Sequence, residues 1–354
     1  MELAQISFLK RLLATPGPSG DEDQAARVWR AEARTFADQV YSDVLGNSFA
    51  VLEGSGPRIL LAGHIDEIGL MISHIDDQGF LFFSPIGGWD AQVLVGQRVR
   101  LLGKNGDVIG VIGKKPIHLL KPDERNQATK IEQMWIDIGA TSKSEASELV
   151  QVGDVGVIDA PVYELPGGRI VSRSIDNRIG AFTVLEALRL LSQNRPNAHV
   201  AAVATTQEEI TFGGATTAAF SFDPQIALVV DVTFATDHPD SDQRQWNVVK
   251  LGGGPVLSRG SANSGRVFRR LVELAEREAI PYSVQISPRY TGTDADAIHH
   301  VRGGIASAVI SIPNRYMHSP NEMIALHDVE CAVRLIAAFV HSVSNVNEFI
   351  PQDE

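Results

Sequence analysis

Four short apolar runs constrain this chain more than any other feature. Residues 59–63, 200–206, 226–230 and 306–312 carry few polar side chains and show no in-and-out alternation. Strands of that texture must be buried on both faces, as in parallel sheets with helices above and below. The segments between them have helical spacing. Phe182, Leu185, Leu188 and Leu191 recur along residues 179–191, and Val267, Leu271, Leu274 and Ala275 form one apolar face along residues 266–279. Residues 215–220 and 328–343 read as further helices. Buried strands alternating with helices predict an α/β fold: a mostly parallel sheet covered by helices.

The N-terminal part fits this plan. Phe8, Leu12 and Leu13 share a helical face, Pro16-Gly17-Pro18-Ser19-Gly20 breaks it, and Asp21 begins a second helix with Ala25, Val28 and Trp29 on one side. Residues 47–52 read as a strand. From residue 68 to 165 the texture changes to apolar bursts, such as Arg98-Val99-Arg100-Leu101-Leu102 and Met134-Trp135-Ile136-Asp137-Ile138, separated by Gly, Asn and Asp turns. That pattern predicts a compact antiparallel β-module. Residues 114–130, rich in charge and proline, read as a mobile loop inside it. At 354 residues the chain exceeds one ordinary domain. The expected division is an α/β domain of residues 1–67 and 166–354 interrupted by a β-rich insertion, residues 68–165.

Bulk composition excludes several partners. A net charge of −12 argues against nucleic acid and anionic membranes, which are bound through clustered Lys and Arg. The single cysteine, Cys331, rules out an internal disulfide and Cys-rich zinc sites, and reads as a core filler. No basic-then-apolar leader follows Met1, and no apolar stretch approaches the roughly 18–20 residues of a membrane span. A soluble, cytoplasmic protein is expected.

The apolar runs share a second feature: ionisable residues follow closely on each. His64 and Asp66 follow residues 59–63, Glu208 and Glu209 follow residues 200–206, Asp231 follows residues 226–230, and His318 follows residues 306–312 after a short loop. In open α/β sheets the carboxyl ends of the strands are where ligands bind. Taken singly, these residues have ordinary explanations. A lone histidine after a strand is usually a hydrogen-bonded bystander, an acidic pair often starts a solvated helix, and Asp176 could simply cap the helix after it. Their joint placement points instead to a divalent cation with nitrogen and oxygen preferences, zinc above all.

The motifs themselves resemble a known family. Ala62-Gly63-His64-Ile65-Asp66-Glu67-Ile68-Gly69, Ser172-Arg173-Ser174-Ile175-Asp176-Asn177-Arg178-Ile179-Gly180, Thr206-Gln207-Glu208-Glu209, Val230-Asp231 and His318-Ser319-Pro320-Asn321-Glu322 are similar, in this order, to the five metal motifs of the TET-type dinuclear aminopeptidases. These are the glutamyl and deblocking aminopeptidases, some of them labelled endoglucanase-like. Pro16-Gly17-Pro18-Ser19-Gly20 and Gly46-Asn47 also match, so the resemblance covers essentially the whole chain.

The resemblance implies a zinc-peptidase-like fold with a barrel-like inserted domain, and two divalent ions per subunit, zinc or cobalt foremost. Asp176 would bridge them, His64 and Asp231 completing one site, Glu209 and His318 the other. Glu208 would act as general base, and Asp66 would orient His64. The ions would activate a shared water against peptide substrates. The insertion would build dimers that assemble into a tetrahedral dodecamer. Thr291-Gly292-Thr293-Asp294-Ala295 also matches a segment near the family's site, so Asp294 either touches substrate or caps its loop. His299 and His300 fit a structural role better than a further metal site. One departure stands out: Ile210-Thr211-Phe212-Gly213-Gly214 replaces a Val-Gly-Leu-Arg-Gly-like run. That change leaves the ligands intact but puts substrate preference in question. The competing readings are a related bimetal carboxypeptidase or N-acyl amino-acid deacylase, a metal-free glycanase using two carboxylates, and a non-catalytic assembly protein.

Overall fold

The computed structural model describes residues 2–123, 125–242, 244 and 247–351. Its strands in chain order are β1 Gln39–Ser42, β2 Ser48–Leu52, β3 Arg58–His64, β4 Gly69–Ile75, β5 Leu81–Ile86, β6 Arg98–Gly103, β7 Gly106–Lys114, β8 Met134–Asp137, β9 Val155–Ile158, β10 Tyr163–Leu165, β11 Arg169–Ser172, β12 His199–Thr205, β13 Ile226–Phe234, β14 Val256–Gly260, β15 Ser283–Ser287, β16 Ala306–Asn314 and β17 Glu322–Ala325.

Eight of them form one sheet in the order β1-β2-β12-β3-β13-β16-β14-β15. The four central strands, β12, β3, β13 and β16, run parallel, and antiparallel pairings flank them. Alternate residues explain why these runs lack polar positions. Ile59 and Leu61 of β3 pack into one core with Phe182 and Leu185, while Leu60 and Ala62 pack into a second with Ala215 and Ala218. Each apolar run therefore serves both faces of the sheet, as its texture requires.

The helix Ile175–Gln193 covers the first face, with Leu326–Ser342 packed against it, and Gly213–Phe222 lies on the second. Glycine permits the tightest of these contacts. A Cβ on Gly63 would stand 2.5 Å from the Gly180 carbonyl carbon, so β3 meets the helix backbone to backbone. Helix ends differ modestly from the sequence reading. The second helix spans Asp23–Ala33, because the Asp21 N–H still donates to the Pro18 carbonyl and belongs to the preceding turn.

Strands β4 to β9 close a barrel in the order β4-β5-β8-β7-β6-β9, with antiparallel pairing throughout. Leu70, Leu81, Val99, Leu101, Ile112 and Ile136 fill it. Closure removes exposed strand edges. The connection from β7 to β8 contains the residue 114–130 segment, of which Glu124 lies outside the described residues. On leaving the barrel the chain forms β10 and β11, and β11 pairs with β17 in a small antiparallel sheet with Ser172 opposite Glu322. That register places the segment leading to Asp176 beside the segment following His318. Among the described residues no helix is long and apolar enough to cross a membrane.

Candidate metal centre

The carboxyl ends of the central parallel strands deliver most of the ionisable residues to one place. His64 ends β3, Asp231 lies toward the end of β13, and Glu208 and Glu209 open a short helix just past β12. His318 comes from the loop after β16, whereas Asp176 arrives from β11, outside the main sheet. Its two oxygens face different imidazoles: Oδ1 lies 3.3 Å from His64 Nε2, and Oδ2 lies 3.3 Å from His318 Nε2. Around His64 Nε2 stand Glu208 Oε2 at 3.6 Å and Asp231 Oδ1 at 3.9 Å. Glu209 Oε2 lies 3.5 Å from His318 Nε2. Three sets of donor atoms are close enough to hold an ion: His64, Asp176 and Asp231; Asp176, Glu209 and His318; and His64, Glu208 and Glu209.

The acids of this cluster outnumber its imidazoles. Burial pushes the Glu208 and Asp231 carboxyls well above their ordinary values, and raises Glu209 to about 8 with help from neighbouring Asp176. Asp176 is the exception: burial opposes its charge, but hydrogen bonds with His318 and His64 outweigh it and hold the carboxyl low. Burial alone would depress His64, yet the Glu208 and Asp66 carboxylates keep it well above its ordinary range. Glu209 Oε1 is buried with no hydrogen-bond partner. Four acids crowding two imidazoles, with one lone pair unanswered, suit a multivalent cation bound through nitrogen and oxygen. The donor set fits such a metal.

Three comparisons agree on the family of this chain. The M42 glutamyl aminopeptidase family matches residues 46–335. The chain belongs to that family. It is 35% identical over 348 residues to the lysyl aminopeptidase of Pyrococcus furiosus, covering 97% of this chain and 99% of the relative. The TET aminopeptidase of a marine-sediment Thaumarchaeota archaeon superposes with a TM-score of 0.94 at 36% identity, covering 98% of this chain and 99% of that one. The Pyrococcus horikoshii TET1 peptidase, described as assembling into a tetrahedron or a large octahedral shell, gives 0.85 at 33% identity, over 96% of this chain and all (100%) of that one. The protein is accordingly an aminopeptidase of the M42 family, whose members depend on metal.

Several further residues of this M42 aminopeptidase support the cluster. Asp66, fully buried, faces His64 Nδ1 at 3.3 Å and also accepts the Glu208 and Glu209 N–H groups, at 3.2 and 3.1 Å. One carboxylate thus orients an imidazole and a turn of backbone together. On the other side Glu322 holds backbone alone, accepting the Asp176 and His318 N–H groups, each at 3.0 Å. His318 Nδ1 lies 2.7 Å from the Gly88 carbonyl, a contact made by the chain between β5 and β6. Asp294 is 1% exposed, accepts the Thr205 hydroxyl behind His64, and does not line the adjoining cavity; Asp296 instead receives the Thr291 and Gly292 N–H groups. His299 Nδ1 donates to the Ala295 carbonyl on its own helix, and Cys331 is buried in the core.

Beneath the cluster lies a wholly buried ion network. Arg178 donates to the carbonyls of Leu12, Thr15, Gly17 and Ile65 and to Glu67, which also pairs with Arg173. This ties the Pro16–Gly20 break to the end of β3. Because Arg178 answers four backbone carbonyls as well as Glu67, and those acceptors would be left without it, Arg178→Met should cost about 3 kcal/mol of stability despite similar side-chain length. Denaturant titration of the metal-loaded protein checks this, and an unchanged midpoint would show that the network is energetically neutral.

Proposed function

We propose that this chain is a two-metal aminopeptidase that removes residues from the free N-termini of short peptides. The observation that carries the reading is the double role of Asp176, one oxygen turned to His64 and the other to His318. His64 and Asp231 would hold one ion and Glu209 and His318 the other, with Asp176 between them. Zinc or cobalt suits this mixture of imidazole and carboxylate donors. When bound, the pair supplies Lewis acidity toward the scissile carbonyl and acidifies a water.

The protein's own groups do the remaining work. Glu208, buried at the edge of the cluster, takes the proton from the attacking water as a carboxylate and returns it to the leaving amine. Asp66 keeps the His64 ring and the Glu208 backbone in register. The free amine of the substrate would occupy an open metal position. Residues 68–165 form the insertion that would mediate assembly, and the named shells of the Pyrococcus horikoshii relative support a homo-oligomer, with a tetrahedral dodecamer as the form proposed here. Among the described residues the cavity beside the cluster has no Lys or Arg to receive a C-terminal carboxylate, so no observation favours a carboxypeptidase.

The deciding experiment compares one peptide with a free and an N-acetylated terminus, incubated with zinc or cobalt and followed by mass spectrometry. Stepwise loss from the free form alone is expected. Equal cleavage of the blocked peptide would overturn the assignment.

A further inference from the structure

A cavity of about 370 Å³ opens directly beside the metal cluster, bordered by Glu208, Glu209, Asp231 and His318. Its other walls come from β13, β14, β15 and β16 and from the loop at residues 291–293. A first residue carries its amine, scissile carbonyl and side chain on one or two atoms, so its side chain must enter whatever recess the cluster borders. The chemistry of this recess therefore sets which N-terminal residues fit.

Beyond the cluster itself, every described residue lining this cavity is neutral. Phe212, Val232, Phe234, Val309 and Met317 provide apolar surface. The polar part is already committed internally. Gln285 Oε1 accepts the Thr233 hydroxyl at 2.7 Å, while Gln285 Nε2 donates to Ser258 Oγ at 2.8 Å and Ser311 Oγ at 3.5 Å. Against the walls beyond the cluster, an ammonium, guanidinium or carboxylate would lose water and meet no counter-charge, a costly exchange. A neutral side chain pays no such penalty. Arg244 lines a separate outer recess that shares Thr233, Phe234, Gln285 and Thr291 with this one, and its side chain is 93% exposed and paired with Asp242. Phe212 belongs to the run Ile210-Thr211-Phe212-Gly213-Gly214 that departs from the family pattern, and it enters the wall with a positive φ of 54°.

We infer that this enzyme takes peptides whose first residue is uncharged and largely apolar, such as leucine or methionine, and discriminates against N-terminal Lys, Arg, Asp and Glu. The inference rests on the aminopeptidase reading and names its substrate class. Gln285, at the centre of the polar wall, is the specificity-determining residue.

Aminoacyl p-nitroanilides, which carry no second residue, isolate this recess. With zinc or cobalt present, kcat/KM for the leucine and methionine substrates should exceed that for lysine, arginine and glutamate by at least about ten-fold. Thermal-shift titration with the leucine, lysine and glutamate hydroxamates should give the same order without turnover. Gln285→Glu should move the lysine-to-leucine ratio toward lysine by at least about ten-fold, and Ser258→Asp provides the same test if that variant does not fold. A charged substrate equal to or better than leucine, or two folded variants with unchanged ratios, would overturn the inference while leaving an active aminopeptidase. Silence across the whole panel would instead overturn the aminopeptidase reading, and this inference with it.

Discussion

Glu208→Gln lowers kcat by about 10²–10⁴-fold while leaving the fold and the bound metal in place, the loss expected when a general base is removed. The substitution preserves shape at a position only 8% exposed and replaces a group whose charge burial already disfavours. Stability should therefore hold or rise slightly. The measurement pairs steady-state kinetics with metal analysis and a thermal scan. A variant retaining more than about a tenth of wild-type turnover would remove Glu208 from the proton-transfer role. A variant that loses metal along with activity would instead make Glu208 a ligand, because His64, Glu208 and Glu209 also form a possible donor set.

The second large effect follows from removing the cations. Exhaustive chelation should abolish aminopeptidase activity, and adding zinc or cobalt should restore it. Chelation should also lower the melting temperature. A ligand that binds only the native state stabilises it by about 2.7 kcal/mol at one hundred times its dissociation constant. Without it, Asp176, Glu208, Glu209 and Asp231 are left crowded in a buried space with one another. Full activity after chelation, verified by metal analysis, would leave a hydrolase that works through its carboxylates alone, as glycosidases do.

The parts of this protein that were legible in its sequence are those set by local pattern. The runs at residues 59–63, 200–206, 226–230 and 306–312 lack alternation because each packs against helices on both sides, so burial is written into consecutive residues. The ionisable residues after them could be placed at one sheet edge because parallel strands end on the same side. Asp176 was legible only through its motif, since it reaches the cluster from β11. Glu208 and Glu209 do open a short helix, as an acidic pair can, but Glu208 is buried where isolated acidic turns are usually solvated.

By itself, then, the sequence determined the alternation of buried strands and helices, the antiparallel β texture of residues 68–165, and the order in which its acids and imidazoles meet the sheet. The tertiary structure alone decided that Asp66 and Glu322 each bind two backbone N–H groups around the cluster, that Asp294 lies behind Thr205, and that the neighbouring cavity is neutral. Hydrophobic periodicity records whether a residue is buried, which is a property of its own neighbourhood in the chain. Most of these hydrogen-bond partners and cavity walls are drawn from residues far apart in the chain, and only packing brings those together.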